Sequence, residues 1–136
     1  MSVRNKRVLI TGSSHGIGAA TAIAFAKEGC KIGINCCKDI DGAKSIAARI
    51  QEMGGQAEIF QADVSIQEQA SGMVADFIDR FGGIDILINN AGGALKIPRG
   101  EFADMPLDYW QNQINLNLNA AAWTSQVAIR YMQQLP

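Results

Sequence analysis

Eight consecutive residues, Thr11-Gly12-Ser13-Ser14-His15-Gly16-Ile17-Gly18, combine three glycines with two serines and the only histidine of the chain. Before them, Arg7-Val8-Leu9-Ile10 reads as a short buried strand; after them, residues 17–27 read as a helix. A glycine-rich turn between a strand and a helix aims backbone N–H groups at the helix N-terminus. The unpaired amides and the helix dipole both favour negative charge there, so the chemistry this segment is suited to is binding a diphosphate. Gly12 permits the tight turn, Gly16 lets phosphates approach the backbone, and Gly18 lets the helix pack close to the sheet.

The elements that must hold this turn follow from the apolar pattern. Short β-runs at residues 7–11, 31–35, 57–61 and 85–89 alternate with amphipathic helical runs, which is the sequence form of a parallel sheet wrapped by helices. Gly29 stands where the first helix should stop. The second helix is expected to bury Ala43, Ile46, Ala47, Ile50 and Met53 and to end at Gly54-Gly55. Ser65-Ile66-Gln67-Glu68 has the spacing of a capping box, and Ala70, Met73, Val74, Phe77 and Phe81 would line the inner face of the helix it opens. Right-handed crossovers give the strand order 3-2-1-4 and a crevice between strands one and four. The expected fold class is therefore α/β: a Rossmann-type doubly wound parallel sheet, incomplete, with four strands and four helices in one domain spanning residues 1–136.

A last helical run, residues 107–134, carries no charge from Tyr109 through Ile129, yet its many Asn and Gln residues make it too polar to span a membrane. Trp110, Ile114, Ala121, Thr124 and Ala128 form the stripe expected to pack on the sheet, with Leu118, Ala122, Trp123 and Ile129 off it. Composition excludes several classes. A chain of 136 residues with 48% hydrophobic and 18% charged residues has an ordinary globular make-up, and a net charge of −1 gives no reason to expect nucleic acid or an anionic membrane as partner. The basic start precedes an apolar run too short for a signal peptide. Cys30, Cys36 and Cys37 have no metal-site spacing and read as reduced thiols, which with the rest points to the cytoplasm.

Three further motifs stand in order behind the glycine turn: Asp63-Val64, Asn89-Asn90-Ala91-Gly92, and Trp110 followed by Asn117-Leu118. Together with the turn they resemble the short-chain dehydrogenase/reductase family over essentially the whole chain. The resemblance implies an NADP(H)- or NAD(H)-linked oxidoreductase moving hydride between the cofactor and a small carbonyl or alcohol substrate. It assigns Gly12, Gly16, Ile17 and Gly18 to the diphosphate end of the cofactor, Asp63 and Val64 to the adenine, and Asn90, Ala91 and Gly92 to the ribose beside the nicotinamide. Without it, Asp63 would be a turn residue near a helix start. Ser14 is expected to bond the phosphate on the adenosine ribose; for His15 that contact and a plain turn role both stay open. A general-base role for His15 is unsuited to its place beside phosphates.

Cofactor choice turns on Asn35-Cys36-Cys37-Lys38. No acid ends the second strand, as NAD-preferring sites require, and a cation follows it, so NADP is the expected cofactor with NAD the alternative. Cys37 and Lys38 are placed against the adenosine ribose, though a loop lysine is commonly just solvated; Asp39 and Asp41 read as helix caps. Asn117 falls on the apolar stripe, where a buried amide needs partners. By resemblance it belongs to the family's Asn-Ser-Tyr-Lys catalytic set and holds a water on the proton path. The rest of that set is absent: Gln113 and Leu135 stand four residues beyond Tyr109 and Tyr131, and the last lysine is Lys96. The sequence is thus expected to be the cofactor half of a longer enzyme, truncated after the fourth helix and inactive alone. The alternative is a non-catalytic dinucleotide-binding or association module. The helix at 107–134 is expected to pair with its copy in a homodimer or homotetramer. The loop at 93–105, with Lys96, Pro98, Arg99 and Phe102, would lie above the crevice.

Overall fold

The computed structural model describes residues 2–93 and 100–136, and Lys96, Pro98 and Arg99 lie outside them. Four parallel strands, β1 (Arg7–Ile10), β2 (Lys31–Cys36), β3 (Gln56–Gln61) and β4 (Ile86–Ile88), form one sheet in the order β3-β2-β1-β4. Leu9 pairs with Gly33 on one side and Leu87 on the other, so β1, like β2, is an interior strand. Expected and observed strand ends agree to within one residue.

Both faces of the sheet are covered. Val8, Ile10, Ile32 and Ile34 alternate with residues of the opposite face and pack with Ala22, Ala26, Ala43, Ala47 and Ile50 from α1 (Gly16–Lys27) and α2 (Ile40–Glu52). On the other face Leu9 and Phe60 pack with Met73, Val74 and Phe77 from α3 (Gln67–Phe81). Phe60, Phe77 and Phe81 form an aromatic cluster, with Phe77 and Phe81 stacked at 4.7 Å. Gly33 makes room for it: a Cβ there would meet the Phe77 ring at 2.6 Å. The two faces bury separate apolar clusters, the main favourable term in the fold.

Three local expectations are corrected. Met53 is exposed rather than core, because α2 ends at Glu52 and Met53 already stands at its C-cap. The capping box at Ser65 does not form. Asp63 Oδ1 accepts both the Ser65 N–H (3.0 Å) and the Ser65 hydroxyl (2.6 Å), and α3 starts later with Ile66 as its uncapped N-cap. The last helical run is continuous but not uniform: α4 (Leu107–Ile114) and α5 (Ala120–Met132) are joined through a π-turn at Asn115–Asn119. The wider turn advances the helix face by about one residue per insertion. Ala120, Thr124 and Ala128 are therefore the buried stripe, Ala121 is only partly covered and Trp110 is 51% exposed.

Opposite the crevice, at the other end of the strands, Arg7 clamps Asp85. Arg7 Nε and Nη2 donate to the two carboxylate oxygens at 2.7 and 3.0 Å, and Nη1 donates to the Gly82 carbonyl at 2.6 Å. The guanidinium holds the Asp85 carboxyl down to about 2.

Candidate functional site: a cleft at the carboxyl ends of the strands

The glycine turn sits where β1 ends, between β2 and β4. Its path depends on glycine at specific points. Gly12 has φ +61°, and a Cβ there would meet Ala91 Cα at 3.0 Å. Gly16 lines the cleft, has φ +59° and has nothing within 4 Å of its virtual Cβ. Gly18 is buried beneath the turn, where a Cβ would collide with the Gly12 carbonyl and with Asn90 Nδ2. Gly18 thus shapes the wall from below and does not itself face the cleft.

The turn is braced from β4. Asn90 Nδ2 donates to the Thr11 and Gly12 carbonyls, both at 3.0 Å, while Thr11 Oγ1 accepts the Asn90 and Ala91 N–H groups at 3.0 and 2.9 Å. Four hydrogen bonds thus close the switch point between β1 and β4, the place where open α/β sheets bind ligands. Asn89 points the other way and ties β4 to α5, accepting from Thr124 Oγ1 at 2.7 Å and donating to Ser125 Oγ at 3.0 Å.

The cleft so formed has a volume of about 650 Å³. Gly12, Ser14, His15, Gly16 and Ile17 line one wall and Asn90, Ala91 and Gly92 another. Cys37 and Lys38 close it beyond β2, and Asp63 and Val64 beyond β3. Every residue assigned to the cofactor from the sequence reaches this one cleft except Gly18. Ile17 is 80% exposed there, an unusual position for an apolar side chain at a helix start.

The electrostatics suit an anion. His15 is the N-cap of α1 in extended conformation, no side chain caps the helix, and no acid stands in its first turn. The N-terminal partial charge of α1 therefore faces the cleft without a compensating carboxylate on its own helix. Ser14 Oγ and His15 Nδ1 share a hydrogen bond of 3.0 Å, and His15 Nδ1 lies 3.4 Å from Asp39 Oδ2. Asp39 does cap α2, accepting the Gly42 N–H at 3.0 Å, whereas Asp41 lies in the first turn. The Gly42 N–H, then the Ser14 hydroxyl and His15, hold the Asp39 carboxyl below its ordinary range. Burial raises the Cys36 and Cys37 thiols, so both are protonated residents of the wall rather than thiolates at neutral pH.

Asn117 lies on the π-turn at the β4 side, and it is exposed, not buried as its place on the apolar stripe suggests. Its Oδ1 accepts the Gly93 N–H and its Nδ2 donates to the Gly93 carbonyl, both at 2.9 Å. Nδ2 also reaches the Gln113 carbonyl at 3.1 Å. Sequence reasoning left five residues of the lining unassigned: Asn35, Cys36, Asp39, Ala62 and Leu116, the last of which lies on the π-turn. Asn35 was detectable as the one amide in the apolar run Ile32-Gly33-Ile34.

The sequence matches the short chain dehydrogenase family over residues 6–135. It is 37% identical over 124 residues to the uncharacterized oxidoreductase YohF of Escherichia coli K12, covering 91% of this chain and 48% of that protein. A short chain dehydrogenase from Burkholderia cenocepacia J2315, solved in complex with NADP, superposes with a TM-score of 0.88 at 35% identity, over 96% of this chain and 52% of that one. The NADH-dependent reductase A1-R′, solved with NAD, superposes with a TM-score of 0.87 at 34% identity, over 96% of this chain and 53% of that one. The chain spans about half the length of the relatives it matches.

Proposed function

The chain belongs to the short-chain dehydrogenase family, and from that premise we propose that it binds NADP(H) as the cofactor half of an oxidoreductase acting on a small carbonyl or alcohol. One observation carries the reading: the uncapped, acid-free N-terminus of α1 opens into a single cleft with both ribose-facing segments. Diphosphate binds at the turn around Gly12 and Gly16, adenine between Asp63 and Val64, and the second ribose at Asn90 to Gly92. Glycine at positions 12 and 18 fits this use, since side chains there would displace Ala91 or the turn itself. When bound, the nicotinamide supplies or accepts the hydride. The chain's own residues hold and orient it, and Asn117, fixed to Gly93, positions a water on the proton path.

Preference for NADP(H) rests on Lys38 and His15 at the rim. Asp39 lies beside His15, and its oxygens are committed to Gly42 and approached by His15. Titration with NADPH and NADH tests this: NADPH should bind about tenfold more tightly, ~1.4 kcal/mol, and equal affinities would remove the preference. The sequence holds no Tyr-x-x-x-Lys, so these residues alone should not oxidise NADPH with simple carbonyls; clear turnover would overturn that.

The protein works as a homodimer or homotetramer through the helix at 107–132. Leu118 is 62% exposed and Ile129 50%, and with Ala122 they make an uncharged apolar strip on its outer side. Cytoplasmic placement is supported by the free Cys30, Cys36 and Cys37; among the described residues no helix is long and apolar enough to cross a membrane.

A further inference from the structure

Asn35 is 2% exposed in a strand whose other inward residues are apolar, and its side chain bonds to segments that are otherwise separate. Its Oδ1 accepts the Gly12 N–H at 2.9 Å. Its Nδ2 donates to the Phe60 carbonyl at 3.0 Å and the Ala62 carbonyl at 3.2 Å. Its backbone joins the same turn from the other direction: the Asn35 carbonyl accepts the Ser13 N–H at 2.8 Å, and the Asn35 N–H donates to Ser13 Oγ at 3.0 Å. Ser13 Oγ in turn donates to the Ile10 carbonyl at 2.8 Å.

The consequence is geometric. The Gly12 turn follows β1, Cys36-Cys37-Lys38 follows β2, and Ala62-Asp63-Val64 follows β3. These are the diphosphate, ribose and adenine segments of the cleft, and Asn35 is the one side chain bonded to the first and third while belonging to the second. A buried amide confers no packing advantage over Val or Ile, and it is tolerated only because its donors and acceptor are matched. Two of its partners, Gly12 and Ala62, lie just past the carboxyl ends of the neighbouring strands and the third, Phe60, in the last rungs of the ladder itself, which is the edge where the cofactor would lie.

We propose that Asn35 is a positioning residue that holds the three cofactor segments in one fixed register before the dinucleotide arrives. The proposal rests on the dinucleotide reading of the cleft. A preformed wall spares the complex the ordering of three loops, so the benefit falls on a ligand that must touch all three at once. A ligand confined to part of the wall gains less.

The test compares NADPH, NADH and adenosine 2′-phosphate on the wild-type protein, Asn35→Asp and Ser13→Ala. Asn35→Asp keeps Oδ1 and the shape but turns a carboxylate oxygen toward the Phe60 and Ala62 carbonyls. Ser13→Ala loosens the same turn without touching the Asn35 side chain, and it decides the matter if Asn35→Asp does not fold. In the variants NADPH and NADH should weaken together, and the ratio of NADPH to adenosine 2′-phosphate affinity should fall at least tenfold for Asn35→Asp and threefold for Ser13→Ala. A merely structural role lowers the folded fraction and weakens every ligand by one factor, so an unchanged ratio overturns the proposal. Absence of dinucleotide binding by the wild-type protein would instead overturn the cofactor reading, and this inference with it.

Discussion

Gly16 and Gly54 make a matched pair that separates backbone strain from ligand contact. Both have positive φ, +59° and +80°, and neither has any atom within 4 Å of a virtual Cβ. Alanine at either position must adopt a left-handed conformation at a cost of ~1–2 kcal/mol, with no clash to add to it. For a domain of this size ~1 kcal/mol moves Tm by roughly 3–6 °C. The two substitutions should therefore destabilise alike, and thermal unfolding followed by circular dichroism measures this. They part company at the cleft: Gly54 stands between α2 and β3, away from it, whereas Gly16 lines it. The new methyl of Gly16→Ala stands in open space on a cleft-lining residue, at the helix N-terminus where phosphate oxygens would take backbone N–H groups, and the proposed diphosphate position would be crowded by it. Losing one or two such charge-assisted bonds costs ~1.5–3 kcal/mol each, so NADPH affinity should fall at least ~10-fold. Gly54→Ala should leave it within about twofold once the folded fraction is allowed for. Equal Tm losses with undiminished NADPH affinity in Gly16→Ala would refute the placement of the diphosphate.

Asp85→Asn should lower stability at pH 7 by ~1–2 kcal/mol, less than the full carboxyl shift implies because the pair is partly exposed. The folded-state value near 2 lies below that of the unfolded chain, so the carboxylate's contribution is present above about pH 4 and lost as pH falls through 2; acid titrations of wild type and variant should converge over that window. Lys38→Gln should weaken NADPH about tenfold and leave NADH unchanged, which paired titrations read directly. Leu118→Lys should shift the proposed homodimer or homotetramer toward monomer in sedimentation velocity while leaving Tm at low protein concentration within a few degrees; a monomeric wild type would refute the proposed assembly, and an unchanged oligomer the proposed interface.

The sheet was legible because each crossover is short and punctuated. Gly29 and Gly54 stop helices at left-handed positions, and the alternating apolar runs leave one order for four parallel strands. The cleft was legible for the same reason: residues that follow parallel strands must gather at one edge of the sheet. What was not legible depends on competition between side chains. Ser65 has the spacing of a cap, but Asp63 is two residues away and takes both its N–H and its hydroxyl. Asp39 reads as a cap and is one, yet nothing in a linear sequence says that its second oxygen comes to His15 across the β1–α1 turn. Asn35 stands in the sequence as an amide ending an apolar strand, but the partners of that amide, Gly12, Phe60 and Ala62, come from segments far apart in the chain.

The π-turn accounts for the remaining disagreement and for the position of Asn117. At Asn115–Asn119 the ladder steps to the fifth residue back, the Ala120 N–H reaching the Asn115 carbonyl. Asn117 Nδ2 bonds the Gln113 carbonyl, four residues back, so its side chain supplies a donor where the regular ladder is interrupted. The amide also reaches the Gly93 backbone, at both its N–H and its carbonyl. An unbroken α-helix that kept Ala120, Thr124 and Ala128 on the sheet would rotate residue 117 by about 100° away from Gly93. The same insertion that carries Trp110 out of the expected stripe therefore brings the Asn117 amide to the Gly93 backbone beyond the end of β4. Irregular turns of this kind are frequent at functional sites, and the role proposed for Asn117 on the proton path gives this one a reason to persist.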